Sequence, residues 1–383
     1  MLNRKLKVGL VGLRFGGEFP PIYRDHPDVE SVTLCELDQH LMKEYARKFR
    51  FEHTVDSFDA LLDSDVDAVH IVTGIPNHAE LVLRALKAGK HVACTVPMAT
   101  NLDDMYRIIE TQRSSGKQYM MMETSMYTFQ CLYVKQLIDE GKIGRIQYLR
   151  GTHFQDMESW PEYWMGLPPF WYATHAVAPL LYLSGAYATR VQSFGSGVMR
   201  NELKARYGNP FPIEHAMIEL NQPDLKAEIT RSLFHTAIGY VEGFTVLGEQ
   251  MSFEWDIEEE PPYLHTIKTQ DGESVLNSYG RGRDIEITRV TCPDRGDLLP
   301  ESIRAYTRQH TILDPDNPHL SIKQGGGHHG SHPHMIHEFV RSIIEERKPA
   351  VDAVTAARWT AVGVCAHQSA LQNGKPVDVP DFT

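Results

Sequence analysis

Apolar residues in the first third of the chain fall into short runs bounded by glycine, proline or polar clusters. "KVGLV" (7–11), "SVTLCE" (31–36), "VDAVHIVT" (66–73), "HVACTV" (91–96) and "QYMMME" (118–123) are of this kind. Such runs read as strands buried on both faces. Between them apolar residues recur at helical spacing. "NHAELVLRALKAG" stops at Gly89, and "NLDDMYRIIETQRSSG" opens on the N-cap Asn101 and ends at Gly116. Strands separated by helices predict a parallel, doubly wound sheet, a Rossmann domain over residues 1–123.

Beyond residue 123 the pattern changes. "IQYLRGTHF", "RVQSFGSG", "EHAMIEL", "KAEITRSLFH", "VEGFTVLG", "MSFEW" and "DIEITRV" follow one another as strand-like runs. They predict an open, mostly antiparallel sheet in a second α/β domain, residues 124–383. Residues 257–333 are rich in Pro, Gly and charge and read as long loops. Two helix patterns close the chain. The last, 352–373, is followed by Gly374 and Pro376 and is expected to pack back at the seam of the domains.

Composition narrows the classes. The 383 residues have room for two domains, and 42% hydrophobic content is ordinary for a globular protein. The net charge of −12 without a long basic run argues against a nucleic-acid surface. No apolar run has transmembrane length, so no membrane partner is expected, and no secretory signal pattern opens the chain. The five cysteines show no paired spacing. Buried thiols in a reducing, cytoplasmic setting are expected.

The loop after the first strand, "GLRFGG", has glycine at the first and third positions of a G-x-G-x-x-G fingerprint, Gly12 and Gly17, with Arg14 between them. Glu36 ends the second strand 19 residues past Gly17. A carboxylate there accepts from a ribose and repels a 2′-phosphate, so the pattern favours NAD over NADP. Ligands of open α/β sheets sit beyond the carboxyl ends of the strands. Leu13, Arg14, Phe15, Thr73, Pro76, His78, Thr95, Pro97 and Glu123 therefore join the candidate cofactor contacts. The competing reading is a βα turn shaped by its glycines around no ligand.

"VGLVGLRFGG", "LCELD", "DVDAVHIVTGIPNHAELVLRALKAGKHV" and "LIDEGKIGRIQYLRG" together resemble the Gfo/Idh/MocA family of NAD(P)-dependent, sugar-active oxidoreductases. The resemblance implies a Rossmann domain, a C-terminal α/β domain with an open antiparallel sheet, a nicotinamide held between them, and a homo-oligomer formed through the sheet face. Two departures stand out. Thr95-Val96-Pro97 occupies the motif where the family usually has Glu-Lys-Pro, so the lysine is absent. The family's aspartate and histidine, four apart on a helix, fall on Trp171 and His175, so only the histidine remains. One branch, the NAD-dependent glycosidases of α-N-acetylgalactosaminidase type, shows a similar loss, and sulfoquinovosidases belong to the same broad group. "ETSMY" (123–127) and "YATH" (172–175) resemble that branch's motifs. In it, C3 of the sugar is transiently oxidised, the C2 proton leaves, the glycosidic oxygen is eliminated from C1, water adds, and the ketone is reduced again.

That chemistry needs bases and an oxyanion stabiliser. Tyr127, Tyr172 and His175 are the candidates to replace the lysine, with Glu123 orienting a partner or the ribose. Tyr172 and His175 also fit a structural helix face, and Glu123 a plain strand end. Trp160, Trp164 and Trp171, in "HFQDMESWPEYWMGLPPFWY", form a candidate sugar-stacking wall or, equally, a hydrophobic loop core. His153 and Asp156 lie three apart and cannot share a strand face; Asp156, nearer the loop, is the one expected at the site. In "GGGHHGSHPHMIHEF" the spacing is wrong for a metal site, so none is expected. His328, His329 and His332 are read as substrate contacts or a surface loop. Arg281 and Arg283 fit an anion clamp or solvated loop cations. The preferred function is redox-neutral cleavage of a sugar glycoside with NAD as cofactor. The rivals are a sugar or polyol dehydrogenase and a non-catalytic NAD(H)-binding protein.

Overall fold

The computed structural model describes residues 4–312 and 322–383. Packing divides the chain into two compact units: the first is the chain to Phe129 with Asp294–Thr360 and Phe382–Thr383, the second Gln130–Pro293 with Ala361–Asp381.

In the first unit, β1 (Leu6–Val11), β2 (Val29–Cys35), β3 (His53–Val55), β4 (Ala68–Ile71), β5 (His91–Thr95) and β6 (Tyr119–Met122) form one sheet in the order β3-β2-β1-β4-β5-β6. Every pairing is parallel. This is the doubly wound dinucleotide order, with its crevice where the order reverses between β1 and β4. The strands form because Val8, Leu10, Ala68, Val69, Ile71, Val92 and Ala93 are buried beneath helices on the sheet. The flanking helices start and stop on their caps. Asn101 accepts from the Asp104 amide at 2.8 Å to open Leu102–Ser115, and Gly116 closes it at φ +65°. The edge strand β3 has only three residues, none of them buried, and carries no hydrophobic signal.

The first unit takes back a distant piece of chain. The segment Gly327–Ile344, helical beyond a left-handed kink at His328, His329 and Gly330, buries Met335, Ile336, Phe339, Val340 and Ile343 and packs on the helix Pro20–Asp25 and the turn Ser125–Tyr127. Arg341 donates to Asp28 at 2.8 Å, and the His26 and His337 rings meet at 3.0 Å. The division therefore interleaves along the chain, where local pattern suggests one cut after residue 123. Such long-range packing leaves no mark on local periodicity.

In the second unit nine strands form one sheet. In spatial order they are Ile285–Arg289, β13 (Tyr263–Ile267), β12 (Met251–Trp255), β11 (Val241–Gly248), β7 (Ile146–Phe154), β10 (Lys226–Ser232), β9 (Ile213–Leu220), β8 (Ala188–Ser196) and Val377–Asp378. All pairings are antiparallel except β7 with β10. The helix Thr174–Ser184 lies across β7, β10 and β11. Gly151 permits this approach: a Cβ there would sit 2.1 Å from the Ala176 carbonyl oxygen. The expected loop region 257–333 contributes β13, whose one buried apolar residue, Leu264, hides it among polar neighbours. Residues 313–321 of that region lie outside the described residues. Among the described residues no helix is long and apolar enough to cross a membrane, and all five cysteines are free thiols.

Candidate active site

The first unit presents a dinucleotide cradle. Gly12 ends β1 at φ +92°, and a Cβ on it would lie 2.1 Å from the Val72 carbonyl oxygen. Glycine alone lets the end of β1 approach the end of β4 so closely. The Glu36 carboxylate reaches into this loop, accepting from the Leu13 amide at 2.8 Å and the Asp38 amide at 3.0 Å. Each oxygen keeps a lone pair for a ribose hydroxyl. Beside Gly12, the buried Thr73 hydroxyl has no hydrogen-bond partner. Arg14 and Phe15 are exposed on the loop, Leu13 is buried beneath it, and Gly17 packs on Tyr45. These groups fit a dinucleotide: a close-approach turn, a ribose acceptor and an unmet hydroxyl. Leu37, 80% exposed beside Glu36, offers an apolar surface to an adenine; it escapes sequence reasoning because a lone exposed leucine carries no signal.

The ends of β4 and β5 are tied together by His78. Its Nδ1 lies 2.8 Å from the Pro97 carbonyl oxygen and its Nε2 3.1 Å from that of Thr73. The ring is buried, and burial lowers its pKa against the pull of the two carbonyls. His78 therefore serves the cradle by fixing two loops rather than by facing a ligand. Thr95 donates to the Ile71 carbonyl at 3.3 Å, Val96 is buried, and Pro76 is exposed on the turn after Thr73.

Glu123 ends β6 fully buried. Its Oε1 accepts from the Ser125 amide at 3.0 Å and the Ser125 hydroxyl at 2.8 Å. This caps the short turn Ser125–Tyr127, which carries the buried Tyr127 ring parallel to His334 at 6.5 Å. The histidine segment belongs to the same unit. His328 Nδ1 lies 3.2 Å from His332 Nε2, and both rings meet Phe15, at 5.6 and 5.9 Å. His332 also packs on Phe19 at 4.8 Å. His328 and the half-buried His329 sit at φ +43° and +48°. The segment expected to touch substrate thus borders the dinucleotide loop. Among the described residues no three His, Cys, Asp or Glu are grouped to hold a metal.

The second unit brings Tyr172 and His175 together. The Tyr172 hydroxyl lies 3.1 Å from His175 Nε2. Tyr172 ends the turn Pro169–Tyr172, and His175 opens the helix above β7. The buried ring of His153 stands 4.9 Å from His175 and 5.7 Å from Tyr172. Beneath Tyr172 the Arg231 guanidinium, 5.2 Å from the ring centre, donates to the carbonyls of Tyr172, His153 and Ser232 and to Gln155. Burial brings its pKa down to about 10, which leaves it charged at neutral pH. Glu242 Oε1 is 3.8 Å from His175 Nε2 and accepts from the Tyr240 hydroxyl. Burial, then Glu242, holds Tyr240 well above the usual tyrosine range.

Asp156, expected at this site, is exposed and accepts from the Glu158 amide at 2.9 Å in a turn. His153 takes the inward position instead. The parity argument holds, but β7 ends at Phe154, so Asp156 lies past the strand. Of the three tryptophans, Trp164 packs on Tyr172 at 5.0 Å, and the 44% exposed Trp160 packs on Trp164 at 5.8 Å. Together they form an aromatic path from solvent to Tyr172. Trp171 turns to Tyr207 and His367, at 5.8 and 5.9 Å. Arg231, Tyr240 and Glu242 are missing from the sequence-derived set. Their signal was available: Arg231 and Glu242 occupy the parity of Ala227, Ile229, Phe244 and Val246, all buried.

Each unit has counterparts among known proteins. Residues 6–123 match the oxidoreductase family with an NAD-binding Rossmann fold, and residues 172–383 match the C-terminal domain of glycosyl hydrolase 109. A glycosyl hydrolase family 109 protein of Saccharopolyspora erythraea is 22% identical over 100% of this chain and 84% of its own. One from Streptomyces niveus is 24% identical over 99% and 77%. Among solved structures, a levoglucosan dehydrogenase complex with NADH is similar at a TM-score of 0.76 and 21% identity, covering 98% of this chain and 100% of its own. Myo-inositol 2-dehydrogenase from Lactobacillus plantarum gives 0.69 and 17%, covering 98% and 100%. The chain belongs to glycosyl hydrolase family 109, and it is an NAD-dependent, sugar-active enzyme whose N-terminal part is a Gfo/Idh/MocA Rossmann domain.

Proposed function

We propose that this enzyme cleaves a sugar glycoside in a redox-neutral cycle. The observation that carries the reading is the Tyr172–His175 pair, a hydroxyl and an imidazole 3.1 Å apart, in a chain with Val96 where the resemblance calls for lysine. Bound NAD supplies a hydride acceptor at C3 that can return the hydride to the same carbon. His175, through Tyr172, takes the C3 hydroxyl proton. Tyr127, fixed on its Glu123-capped turn in the first unit, is a further candidate proton-transfer group. Arg231 places a positive charge beneath the Tyr172 ring, 5.2 Å from its centre. Trp160, 44% exposed and backed by the buried Trp164, offers a ring face to the C–H face of a pyranose. Self-association is part of the proposal: Met217, Leu247, Ile285 and Ile287 are exposed on the sheet face opposite the helix Thr174–Ser184. Light scattering should then give a mass above that of the 43.5 kDa chain.

The test is incubation with NAD⁺ and a panel of aryl and alkyl glycosides in D₂O, N-acetylated and sulfonated sugars included. Cleavage with no net NADH and deuterium at C2 of the product is expected. Stoichiometric NADH with the glycosidic bond intact would establish a sugar dehydrogenase instead.

A further inference from the structure

Four neighbouring strands of the nine-stranded sheet each place one ionisable residue on the same rung. The register pairs Glu214 of β9 with Arg231 of β10, Arg231 with His153 of β7, and His153 with Glu242 of β11. All four point to the face covered by the helix Thr174–Ser184 and are at most 1% exposed. Ionisable groups so deep are costly unless each has a partner. Glu214 receives the Phe170 amide at 2.8 Å and stands 2.6 Å from His367 Nδ1. Arg231 is met by carbonyls. At the other end of the rung, Glu242 Oε1 lies 3.8 Å from His175 Nε2.

We infer that Glu242 is the carboxylate partner of His175, a positioning residue that steadies the imidazolium formed when Nε2 takes a proton. The inference rests on the reading of His175 as a base under Proposed function. One proton moves in the step: the O–H bond of Tyr172 breaks and an N–H bond forms at Nε2, 3.1 Å away. The positive ring then stands beside Glu242. The resemblance places a carboxylate, an aspartate, four residues before the histidine on the helix; here that position is Trp171. The carboxylate arrives from a strand instead, close because Gly151 lets the helix settle on β7.

The groups facing His175 are Tyr172 from the preceding turn, His153 from β7, Glu242 from β11 and Tyr240 just before it, with the Arg231 charge behind Tyr172. Of these, Glu242 is the anion that favours the imidazolium. Tyr240 weakens that pull, because its hydroxyl donates to the same oxygen, Oε1. The two residues therefore act on His175 with opposite sign, which general destabilisation would not do.

The experiment is an NMR titration of the full chain labelled with ¹³C-histidine, without substrate, the His175 signal being assigned by its loss in His175→Gln. Glu242→Gln should weaken proton binding at His175 about tenfold or more, since the anion is removed. Tyr240→Phe should strengthen it. An affinity within twofold of the parent in Glu242→Gln overturns the pairing. If Glu242→Gln does not fold, Tyr240→Phe decides, and an unchanged His175 titration there overturns it. The glycoside assay is read separately. A shifted His175 titration in an enzyme that cleaves no glycoside leaves the pairing standing and removes the glycosidase reading.

Discussion

The Tyr172 hydroxyl and His175 Nε2, 3.1 Å apart, are three residues apart along the chain, yet they belong to different elements, a short turn and the helix that follows it. The turn is held from the side by Glu214, which accepts the Phe170 amide, and the helix from below by its close fit on Gly151. Both halves of the pair are thus held by packing within the second unit. His175→Ala and Tyr172→Phe are expected to lower turnover on the order of 10²–10⁴-fold, the usual worth of a positioned acid or base. NAD affinity, followed by fluorescence titration, should stay within about twofold, since the cradle of Gly12, Glu36 and Thr73 is built within the first unit and these side chains belong to the second. Turnover within a few-fold of the parent in both variants would make the pair structural.

Glu36 should set cofactor choice. NAD is expected to bind more tightly than NADP, because the carboxylate repels a 2′-phosphate. Calorimetric titration of both cofactors checks this, and Glu36→Ala should narrow the gap. Gly12→Ala should abolish binding of either cofactor: the left-handed φ and the overlap with Val72 both forbid a Cβ. Equal or tighter NADP binding by the parent would remove Glu36 from the site.

His78→Ala should open the loops that His78 ties. The buried carbonyl of Pro97 and the part-buried one of Thr73 lose their shared ring. The expected cost is about 1–3 kcal/mol of stability, the worth of a buried unsatisfied group. NAD binding should weaken as well, since Thr73 carries the unmet hydroxyl of the cradle. Melting without cofactor, paired with the titration, separates the two effects. An unchanged melting point would show that His78 does not hold the loops.

The first unit should be acid-labile. Burial lowers His26, His91 and His334 to about 4 and His70 to about 3. Between pH 4 and the ordinary histidine value of about 6.5, the unfolded chain binds protons that the fold refuses. Stability is therefore retained above about pH 6.5 and lost as pH falls toward 4, at up to about 1.4 kcal/mol per pH unit for each such ring. Thermal melts at stepped pH, followed through NAD protection, measure it. A flat profile from pH 7 to 4.5 would contradict the burial of these rings.

The sequence alone determined what local chemistry can write. Short buried runs between amphipathic helices specify a parallel sheet, because both faces of each strand must be apolar. Gly12, Gly17 and Glu36 mark the cofactor loop, because turn geometry and a ribose contact need those residue types at that spacing. Tyr172 and His175 were legible as a pair because they are near neighbours along the chain. What only the tertiary structure decided is which distant residues surround that pair. Register alone brings Glu214, Arg231, His153 and Glu242 onto one rung, and a shift of one residue would turn any of them to the other face. The end of β7 at Phe154, not its parity, removed Asp156 and left His153 inside. The return of Gly327–Ile344 to the first unit brought His332 against Phe15. Sheet register and long-range packing are set by the summed burial of many side chains, and no single stretch of sequence carries that sum.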